Sequence, residues 1–241
     1  MKNTSDSIVT AKEPSSIRHM FNAIAPTYDI LNHLMSFGLD IRWRKKAIGY
    51  LREKHDGIFL DIASGSGDVA LSILKQQPAT IVAADFSLNM LNVCKEKLNV
   101  HPTKESIRFI CCDALALPLV DESVDGTIVA FGIRNFADRL LGLQEMFRVL
   151  KPTGVSVILE LTTPTSPIPY AFYRLYTRSI IPFIGKIISR NLSAYSYLPQ
   201  SIATFPSTQE FTALMVQAGF KNIESVPLSF GSATIFVGRK S

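Results

Sequence analysis

The stretch LDIASGSGDVA, residues 60–70, is the part of the sequence that most directly indicates the fold. An apolar run reaches Asp61 and passes into Gly65 and Gly67, and a helical pattern begins at Asp68. A strand that turns on glycines into a helix is the first unit of an open α/β sheet, in which ligands bind beyond the carboxyl ends of the strands. The stretch therefore predicts a ligand on the turn at 63–67, with an acid beside it.

From residue 58 to Leu161, short apolar runs alternate with helical segments. This alternation predicts right-handed crossovers and a parallel sheet that is buried on both faces. Two more strand patterns close the chain around Phe230 and Gly231, and their short link indicates a hairpin. We expect this hairpin to place an antiparallel strand at the end of the parallel sheet.

Length and composition indicate one domain with additions. The chain has 241 residues and is 47% hydrophobic, which suits a single α/β domain. We expect a flexible N-terminal tail at residues 1–14 and a single domain over 15–241, with a helical leader or lid over 15–56 and a helical insertion over 165–205.

Several protein classes are excluded by composition. No apolar stretch reaches the ~18 residues that cross a bilayer, and the start lacks the apolar core of a secretory signal, so we expect a cytoplasmic protein. The three cysteines form neither a disulfide framework nor a metal knuckle, the four histidines lack i, i+4 partners, and no metal is predicted. A net charge of +5 without RNA-binding signatures predicts no nucleic-acid partner.

Three acids follow three successive strand patterns. Asp61 faces the turn, and Asp85 follows Gly65 by about 20 residues, where a carboxylate can accept both hydroxyls of a ribose. Asp113 is placed to receive an amine such as the adenine amino group. S-adenosylmethionine, which has a ribose, an adenine and a net positive charge, fits these acids better than NAD does. Two alternatives are NAD, which the Gly-x-Gly-x-x-Ala spacing also allows, and a purely structural role for the acids as helix caps.

Longer motifs carry a family resemblance over residues 18–240. YDILNHLMSFGLDIRW at 28–43 resembles the first signature of the ubiquinone/menaquinone biosynthesis C-methyltransferases, and RVLKPTG at 148–154, followed by Glu160-Leu161-Thr162, resembles the second. FGIRN at 131–135 and SAYSYL at 193–198 are also similar to family segments. Ser64, Ser66, Ala130 and Thr153 depart from the family pattern, each as a small residue in place of another.

The resemblance implies a class I S-adenosylmethionine-dependent methyltransferase fold, which is Rossmann-like, with a mostly parallel seven-stranded sheet and an antiparallel C-terminal hairpin strand. It implies methyl transfer to a ring carbon of a prenylated quinol, with the insertion at 165–205 covering the acceptor site. By position, Ser66, Asp85, Asp113 and Ala114 would contact the cofactor. With the turn residues they form the predicted cofactor-binding set, which is Asp61, Gly65, Ser66, Gly67, Asp85, Asp113 and Ala114.

For the acceptor, demethylmenaquinol is favoured, while a ubiquinone-branch benzoquinol, dual specificity or another small phenol stay open. A quinol carbon becomes nucleophilic when a ring hydroxyl loses its proton, so we expect Arg134 to stabilise the phenolate, directly or through water, and Asn135 to orient the ring oxygen. Tyr28 would relay or donate a hydrogen bond, and Asp29 is a second candidate base. The alternatives are a capping role for Arg134 and Asn135 and core packing for Tyr28.

A prenyl tail requires either an apolar trough or a membrane surface. Residues 168–190 are aromatic, branched and basic, and Arg42, Arg44, Lys45 and Lys46 add a basic cluster. These patterns predict peripheral contact with an anionic leaflet at the inner face of the membrane, although a solvated cover helix fits equally. The segment 168–183 could instead face a second subunit of a homodimer. A non-catalytic lipid carrier is a further alternative, against which the retained acids argue.

Overall fold

The computed structural model of the chain describes residues 14–25, 28–52, 56–99, 106–164, 166–167, 170 and 192–241. The predicted tail, apart from Pro14, and most of the aromatic segment at 168–190 lie outside the described residues. The strands are β1 Ile58–Ile62, β2 Thr80–Asp85, β3 Ile107–Cys111, β4 Val124–Ala130, β5 Leu150–Leu161, β6 Lys221–Leu228 and β7 Ala233–Arg239. The helices are α1 Pro14–Ile24, α2 Tyr28–Met35, α3 Leu39–Gly49, α4 Asp68–Leu74, α5 Leu88–Asn99, α6 Arg139–Val149, α7 Leu192–Ala203 and α8 Thr208–Gln217.

The strands form one seven-stranded sheet in the order β3-β2-β1-β4-β5-β7-β6. The pairings of β1 with β2 and β4, of β2 with β3, and of β4 with β5 are parallel, and β7 is antiparallel to both β5 and β6. The expected terminal hairpin is present. Its strand β7 lies antiparallel beside β5, at the end of the parallel part of the sheet, and β6 forms the outer edge next to β7.

Two apolar layers cover the sheet, because successive strand residues point to opposite faces. Phe59, Ile81 and Ile128 lie in one buried cluster with side chains of α3, α4 and α5. Leu60 and Val82 lie in the other, with side chains of α6 and α8. The continuous apolar character of β1 and β2 follows from this two-sided burial.

Helix α8 shows how local sequence sets an element. Ser207 is its N-cap, and the Ser207 and Glu210 side chains form the reciprocal capping box that their spacing predicts. The helix runs to Gln217, and Gly219, two residues further on, has a positive φ of 109°. The capping box and Gly219 thus mark the two ends of α8.

The leader is packed directly on the sheet through α3. The Trp43 ring lies 6.3 Å from the Phe131 ring, centroid to centroid, and its Nε1 donates a hydrogen bond of 3.1 Å to Ser229 Oγ. Ala47 and Ile48 are fully buried in the same cluster. The leader thus contacts the loop after β4, which is where the candidate site begins.

None of the helices in the described ranges has both the length and the apolar character needed to cross a bilayer.

Candidate active site

A cleft of about 840 Å³, counted with the part that is open to solvent, lies at the carboxyl ends of the central strands. This is the place where open α/β sheets bind ligands. The described residues that line it are Ile17, Phe21, Tyr28, Ile62, Ala63, Gly65, Ala84, Asp85, Phe86, Met90, Cys112, Asp113, Ala114, Leu115, Phe131, Gly132, Asn135, Phe136 and Ala137. Leader helices, strand ends and the loop after β4 therefore share one cavity.

The turn after β1 alternates into the left-handed region at Ala63, Gly65 and Gly67, with φ values of 53°, 54° and 85°. The Gly65 N–H donates 2.9 Å to the Asp85 carboxylate, which joins the turn to the end of β2. A Cβ at position 67 would overlap Cys94 Sγ of α5. Glycine is required at Gly67 both for its φ and for this close helix packing.

Asp61 lies inside β1 and is almost fully buried. It accepts a hydrogen bond from the Ala70 N–H in the first turn of α4, whose N-cap, Gly67, has no side chain to do so. The other carboxylate oxygen, Oδ2, is buried without a hydrogen-bond partner in the described part of the chain. Burial raises the pKa of the Asp61 carboxyl to about 8.

Asp85 is the last residue of β2 and lines the cleft. Its Oδ1 accepts from the Ser87 N–H at 2.8 Å and its Oδ2 from the Gly65 N–H at 2.9 Å. Burial raises the pKa of this carboxyl, and the backbone hydrogen bonds oppose the rise. Each oxygen keeps lone-pair capacity, so the carboxylate can still accept hydrogen bonds from a ligand's hydroxyls.

Asp113 lies two residues beyond β3 rather than at its last position. It is exposed, lines the cleft, and accepts the Leu115 N–H at 2.9 Å through Oδ1. Ala114 lines the cleft beside it. The structure therefore brings together four members of the predicted cofactor-binding set, Gly65, Asp85, Asp113 and Ala114.

The other three members of that set, all within the described residues, do not line the cleft. Asp61 and Gly67 support the turn through α4 and α5. The buried Ser66 hydroxyl donates to the Asp29 carboxylate of α2. The Ser66 hydroxyl therefore connects the turn to the leader, and the contact of Ser66 with a cofactor stays a prediction.

Asp29 is held by a cation as well as by Ser66. Its Oδ2 lies 2.6 Å from Lys97 Nζ of α5, and the same ammonium lies 2.5 Å from Asp68 Oδ1. Asp29 does not line the cleft, and both of its oxygens accept hydrogen bonds from other groups. Because both oxygens are engaged and neither faces the cleft, the geometry disfavours Asp29 as the proton acceptor.

The charged chain continues from Asp68 into α3. Arg44 Nη1 lies 3.2 Å from Asp68 Oδ2 and 2.5 Å from Asp40 Oδ2, and His33 Nδ1 lies 2.7 Å from the same Asp40 oxygen. The i, i+4 spacing of Asp40 and Arg44 on one helix indicates an ion pair from the sequence alone. The pairing of Asp68 with Arg44 joins two helices, and no local pattern indicates it.

His33, Asp40 and Asp68 form the one group among the described residues whose ligand atoms lie close enough together for a metal ion. The Arg44 guanidinium already contacts both carboxylates. This guanidinium supplies the positive charge that the carboxylates require, so we describe the group as an ion-pair network.

The predicted acceptor residues are split between the cleft wall and the layer behind it. Tyr28 and Asn135 line the cleft. Arg134 is buried and does not line it: its Nη1 lies 2.8 Å from Glu160 Oε1 and also donates to the Phe131 carbonyl. Arg134 Nε is buried with no hydrogen-bond partner in the described part of the chain. One N–H of the guanidinium is thus unused.

Tyr28 lies within electrostatic reach of Arg134. Burial raises the pKa of the Tyr28 phenol above its usual value of 10, and the Arg134 charge partly offsets this rise. The side chain is therefore a neutral phenol near pH 7, which can donate a hydrogen bond or pass a proton but does not act as an anionic base.

Tyr197 is a site residue that sequence reasoning did not single out. Its hydroxyl, on α7, donates 2.8 Å to Asn135 Oδ1. Burial raises the pKa of this phenol also. Because the Asn135 oxygen is taken as an acceptor, the Asn135 amide N–H groups remain as donors for the cleft. The SAYSYL motif at 193–198 contains Tyr197, but no local pattern indicates its partner.

The sequence model of the ubiE/COQ5 methyltransferase family matches residues 8–240. The ubiquinone/menaquinone biosynthesis C-methyltransferase UbiE of Geotalea uraniireducens is 46% identical over 93% of this chain and 96% of its own length. The demethylmenaquinone methyltransferases of Thermus thermophilus and Bacteroides fragilis are 43% and 40% identical, over 91% and 95% of this chain and 99% and 94% of their own lengths.

Solved structures agree on the fold. A crystal structure from Thermotoga maritima, described as an SAM-dependent methyltransferase and possible histamine N-methyltransferase, superposes with a TM-score of 0.62 at 18% identity, covering 92% of this chain and 99% of that one. The [4+2]-cyclase SpnF superposes with a TM-score of 0.68 at 14% identity, over 93% and 96%. The predicted fold class, that of class I methyltransferases, is confirmed.

Replacing Asp61 by Asn is expected to stabilise the ligand-free protein at pH 8 and to change little at pH 4. The folded-state pKa of about 8 exceeds the unfolded value of ~3.9, so the favourable contribution of Asp61 is complete below about pH 4 and is lost as pH rises to about 8. The amide keeps an acceptor for the Ala70 N–H without this loss. We expect a gain of at least about 1 kcal/mol at pH 8, or roughly 2–4 °C in Tm.

Thermal unfolding of both proteins from pH 4 to pH 8 measures this difference. Parallel curves across that range would contradict the elevated pKa of Asp61.

Proposed function

Because the chain belongs to the ubiE/COQ5 methyltransferase family, we propose that it transfers a methyl group from S-adenosylmethionine to a ring carbon of demethylmenaquinol, giving menaquinol. One observation carries the proposal. A single cleft joins the end of β2, with Asp85, to neutral hydrogen-bond donors at Tyr28 and Asn135. The named demethylmenaquinone methyltransferases among the relatives favour the menaquinone branch.

A ubiquinone-branch or dual-specificity reaction is the second candidate. The relative from Geotalea uraniireducens carries both quinones in its name and has the highest identity of those compared above.

The residues present fit S-adenosylmethionine. The Asp85 carboxylate keeps acceptor capacity for ribose hydroxyls, and Asp113 with Ala114 would border the adenine. The buried Asp61 Oδ2 has no hydrogen-bond partner within the described chain and would favour the positively charged methionine end, directly or through water. When bound, this cofactor supplies an activated methyl group on a sulfonium sulfur.

The protein's own task is to place and deprotonate the quinol. A ring carbon becomes nucleophilic when its hydroxyl loses a proton, so groups at the cleft wall must hold the ring oxygen and steady its charge. Asn135 would donate to that oxygen through its amide, since Tyr197 occupies the Asn135 Oδ1. Tyr197 is then a positioning residue for Asn135.

Arg134 would act from behind the wall. Its charge is balanced by Glu160, and its Nε–H has no hydrogen-bond partner among the described residues. This N–H can donate to a water or to the Tyr28 oxygen as the phenolate forms. Tyr28 would relay the proton or donate to the ring oxygen. Replacing Arg134 by Ala would leave the fully buried Glu160 unpaired, so Arg134→Lys is the cleaner way to test the role of the charge.

The prenyl tail of the acceptor is apolar and partitions into a membrane. We propose that the protein meets its acceptor by peripheral contact with an anionic membrane surface at the inner face. The leader over 15–56 would serve as a lid, and the insertion over 165–205 would cover the acceptor site. A homodimer through the aromatic segment at 168–183 is an expectation about residues that lie almost wholly outside the described ones.

Transfer of labelled methyl from S-adenosylmethionine to reduced demethylmenaquinone, and in parallel to the demethylated ubiquinone precursor, tests the proposed reaction. With detergent and reductant present, we expect label on the first acceptor. Label on both would identify a dual-purpose enzyme. Label on neither, with cofactor binding established, would overturn the quinone assignment.

At pH 8 and above, where the Asp61 carboxyl is substantially ionised, Asp61→Asn is expected to weaken the binding of S-adenosylhomocysteine by about 10–100-fold. The carboxylate can then make a charge-assisted hydrogen bond to the amino-acid end, worth about 1.5–3 kcal/mol. Adenosine lacks that end, so its affinity should not change. Isothermal titration calorimetry with both ligands gives the comparison. An equal loss for adenosine would show that the substitution disturbs the turn rather than one contact.

Tyr197→Phe is expected to lower kcat for methyl transfer about tenfold, because one hydrogen bond that orients Asn135 is removed. The dissociation constant of S-adenosylhomocysteine should stay the same. In an Asn135→Ala background the Tyr197→Phe change should have no further effect, since its action passes through Asn135. Additive losses in the double variant would exclude this positioning role.

A further inference from the structure

The leader carries an exposed apolar surface with a basic border. Ile30, Leu34, Phe37 and Ile41 are large apolar side chains that are 63%, 42%, 72% and 55% exposed. Arg42, Lys45 and Lys46 are exposed beside them in the sequence. We propose that this surface, which we name the leader face, docks the protein on an anionic lipid leaflet. The proposal rests on the proposed function for its lipid-tailed acceptor.

Helix geometry places these residues on the outer side of the leader. In α2, Ile30 and Leu34 are separated by one turn, and Asp29 faces inward to Ser66 and Lys97. In the first turns of α3, Asp40, Trp43 and Arg44 are buried. Ile41 and Lys45 are exposed on α3 and are four residues apart, so they lie on the same side of the helix.

The turn between the two helices keeps the outer residues contiguous. The Phe37 N–H donates 3.2 Å to the Leu34 carbonyl, and the Gly38 N–H donates 2.8 Å to the His33 carbonyl. Gly38 takes a φ of 72°, which starts α3 directly after α2. Only this short turn separates Leu34 and Phe37 from Ile41 along the chain.

Charge distinguishes the outer basic residues from the inner one. The Arg44 guanidinium forms ion pairs with Asp40 and Asp68. No ion pair joins Arg42, Lys45 or Lys46 to an acid within the described chain. Basic side chains close to an anionic leaflet are attracted to its surface, and apolar side chains next to them add to the binding by entering the interface.

The same arrangement argues for a lipid surface over a second copy of the chain. A two-fold contact places the same patch on both subunits. The three positive charges of one leader face would then lie near those of the other, which opposes pairing. An anionic leaflet complements both the charge and the apolar side chains.

Docking by the leader face would bring α2, the helix that contributes Tyr28 to the cleft, against the lipid. Tyr28, which starts α2 two residues before Ile30, lines the cleft, as do Ile17 and Phe21 of α1. A quinol ring could enter between these side chains while its prenyl tail stays in the leaflet. The leader would thus be both the cover of the cleft and its contact with the membrane.

The test is co-sedimentation of the full chain with phosphatidylcholine vesicles that contain or lack phosphatidylglycerol, at low salt. We expect binding to the anionic vesicles only. The double variant Ile30→Glu/Ile41→Glu should lose at least about tenfold in vesicle affinity. Both substitutions lie in the first turn of a helix, where glutamate is favoured by the helix dipole, so the fold should persist.

The matched control is Val120→Glu/Val216→Glu. It makes the same change of charge at two exposed apolar positions, whose neighbours Leu119 and Met215 belong to the apolar cluster on the other side of the sheet. This control should bind vesicles like the unsubstituted chain. Equal loss in both double variants would mean that overall charge, rather than the leader face, governs binding, and would overturn the proposal.

Activity separates this proposal from the proposed function. The Ile30→Glu/Ile41→Glu variant should methylate a short-tailed demethylmenaquinol in solution normally, and should lose transfer to a long-tailed quinol embedded in anionic vesicles. Unchanged vesicle binding, or a dimer that the variant converts to a monomer without any effect on vesicle binding, would overturn docking. No transfer to the short-tailed quinol by the unsubstituted chain would overturn the proposed function and leave the vesicle result to decide docking.

Discussion

The close approach of the backbone at residues 63–67 to its neighbours is the constraint on which the site depends. Gly67 lets α5 pack against the turn through Cys94, and Gly65 brings its N–H to the Asp85 carboxylate. Across the cleft, a Cβ at Gly132 would overlap that of Ala63, so the loop after β4 can close on the turn only with glycine there. The floor of the cleft and the orientation of Asp85 follow from these contacts.

The charged groups behind the turn fix the leader above it. Ser66, Asp29 and Lys97 connect α2 to the turn and to α5, while Asp68 and Arg44 connect α4 to α3. Asp29, Asp40 and Asp68 each have a cationic or hydroxyl partner inside the protein. The outward side of α2 and α3 carries exposed apolar and basic side chains.

The two halves of the cleft differ in chemistry. The half at the ends of β1 and β2 presents carboxyl groups, with Asp85 on the lining and Asp61 buried beneath the turn. The half at α2 and the loop after β4 presents neutral donors, Tyr28 and Asn135, backed by the Arg134 charge that Glu160 balances. Carboxylates suit a ligand that is positively charged and rich in hydroxyls, and neutral donors suit an oxygen that becomes anionic during the reaction. The division agrees with the proposed transfer.

The sequence by itself determined the alternation of strands and helices, the glycine turn, the capping box and the placing of Asp85 at a strand end. Each of these rests on local periodicity or on a backbone angle that few residues adopt. Only the tertiary structure decided that Ser66 binds Asp29, that Arg134 lies behind the cleft with Glu160, and that Tyr197 holds Asn135. These partners are 37, 26 and 62 residues apart, and sheet order rather than local pattern brings them together. The physical reason is that a side chain's hydrogen-bond partner is set by packing between distant elements, which nearest-neighbour periodicity does not encode.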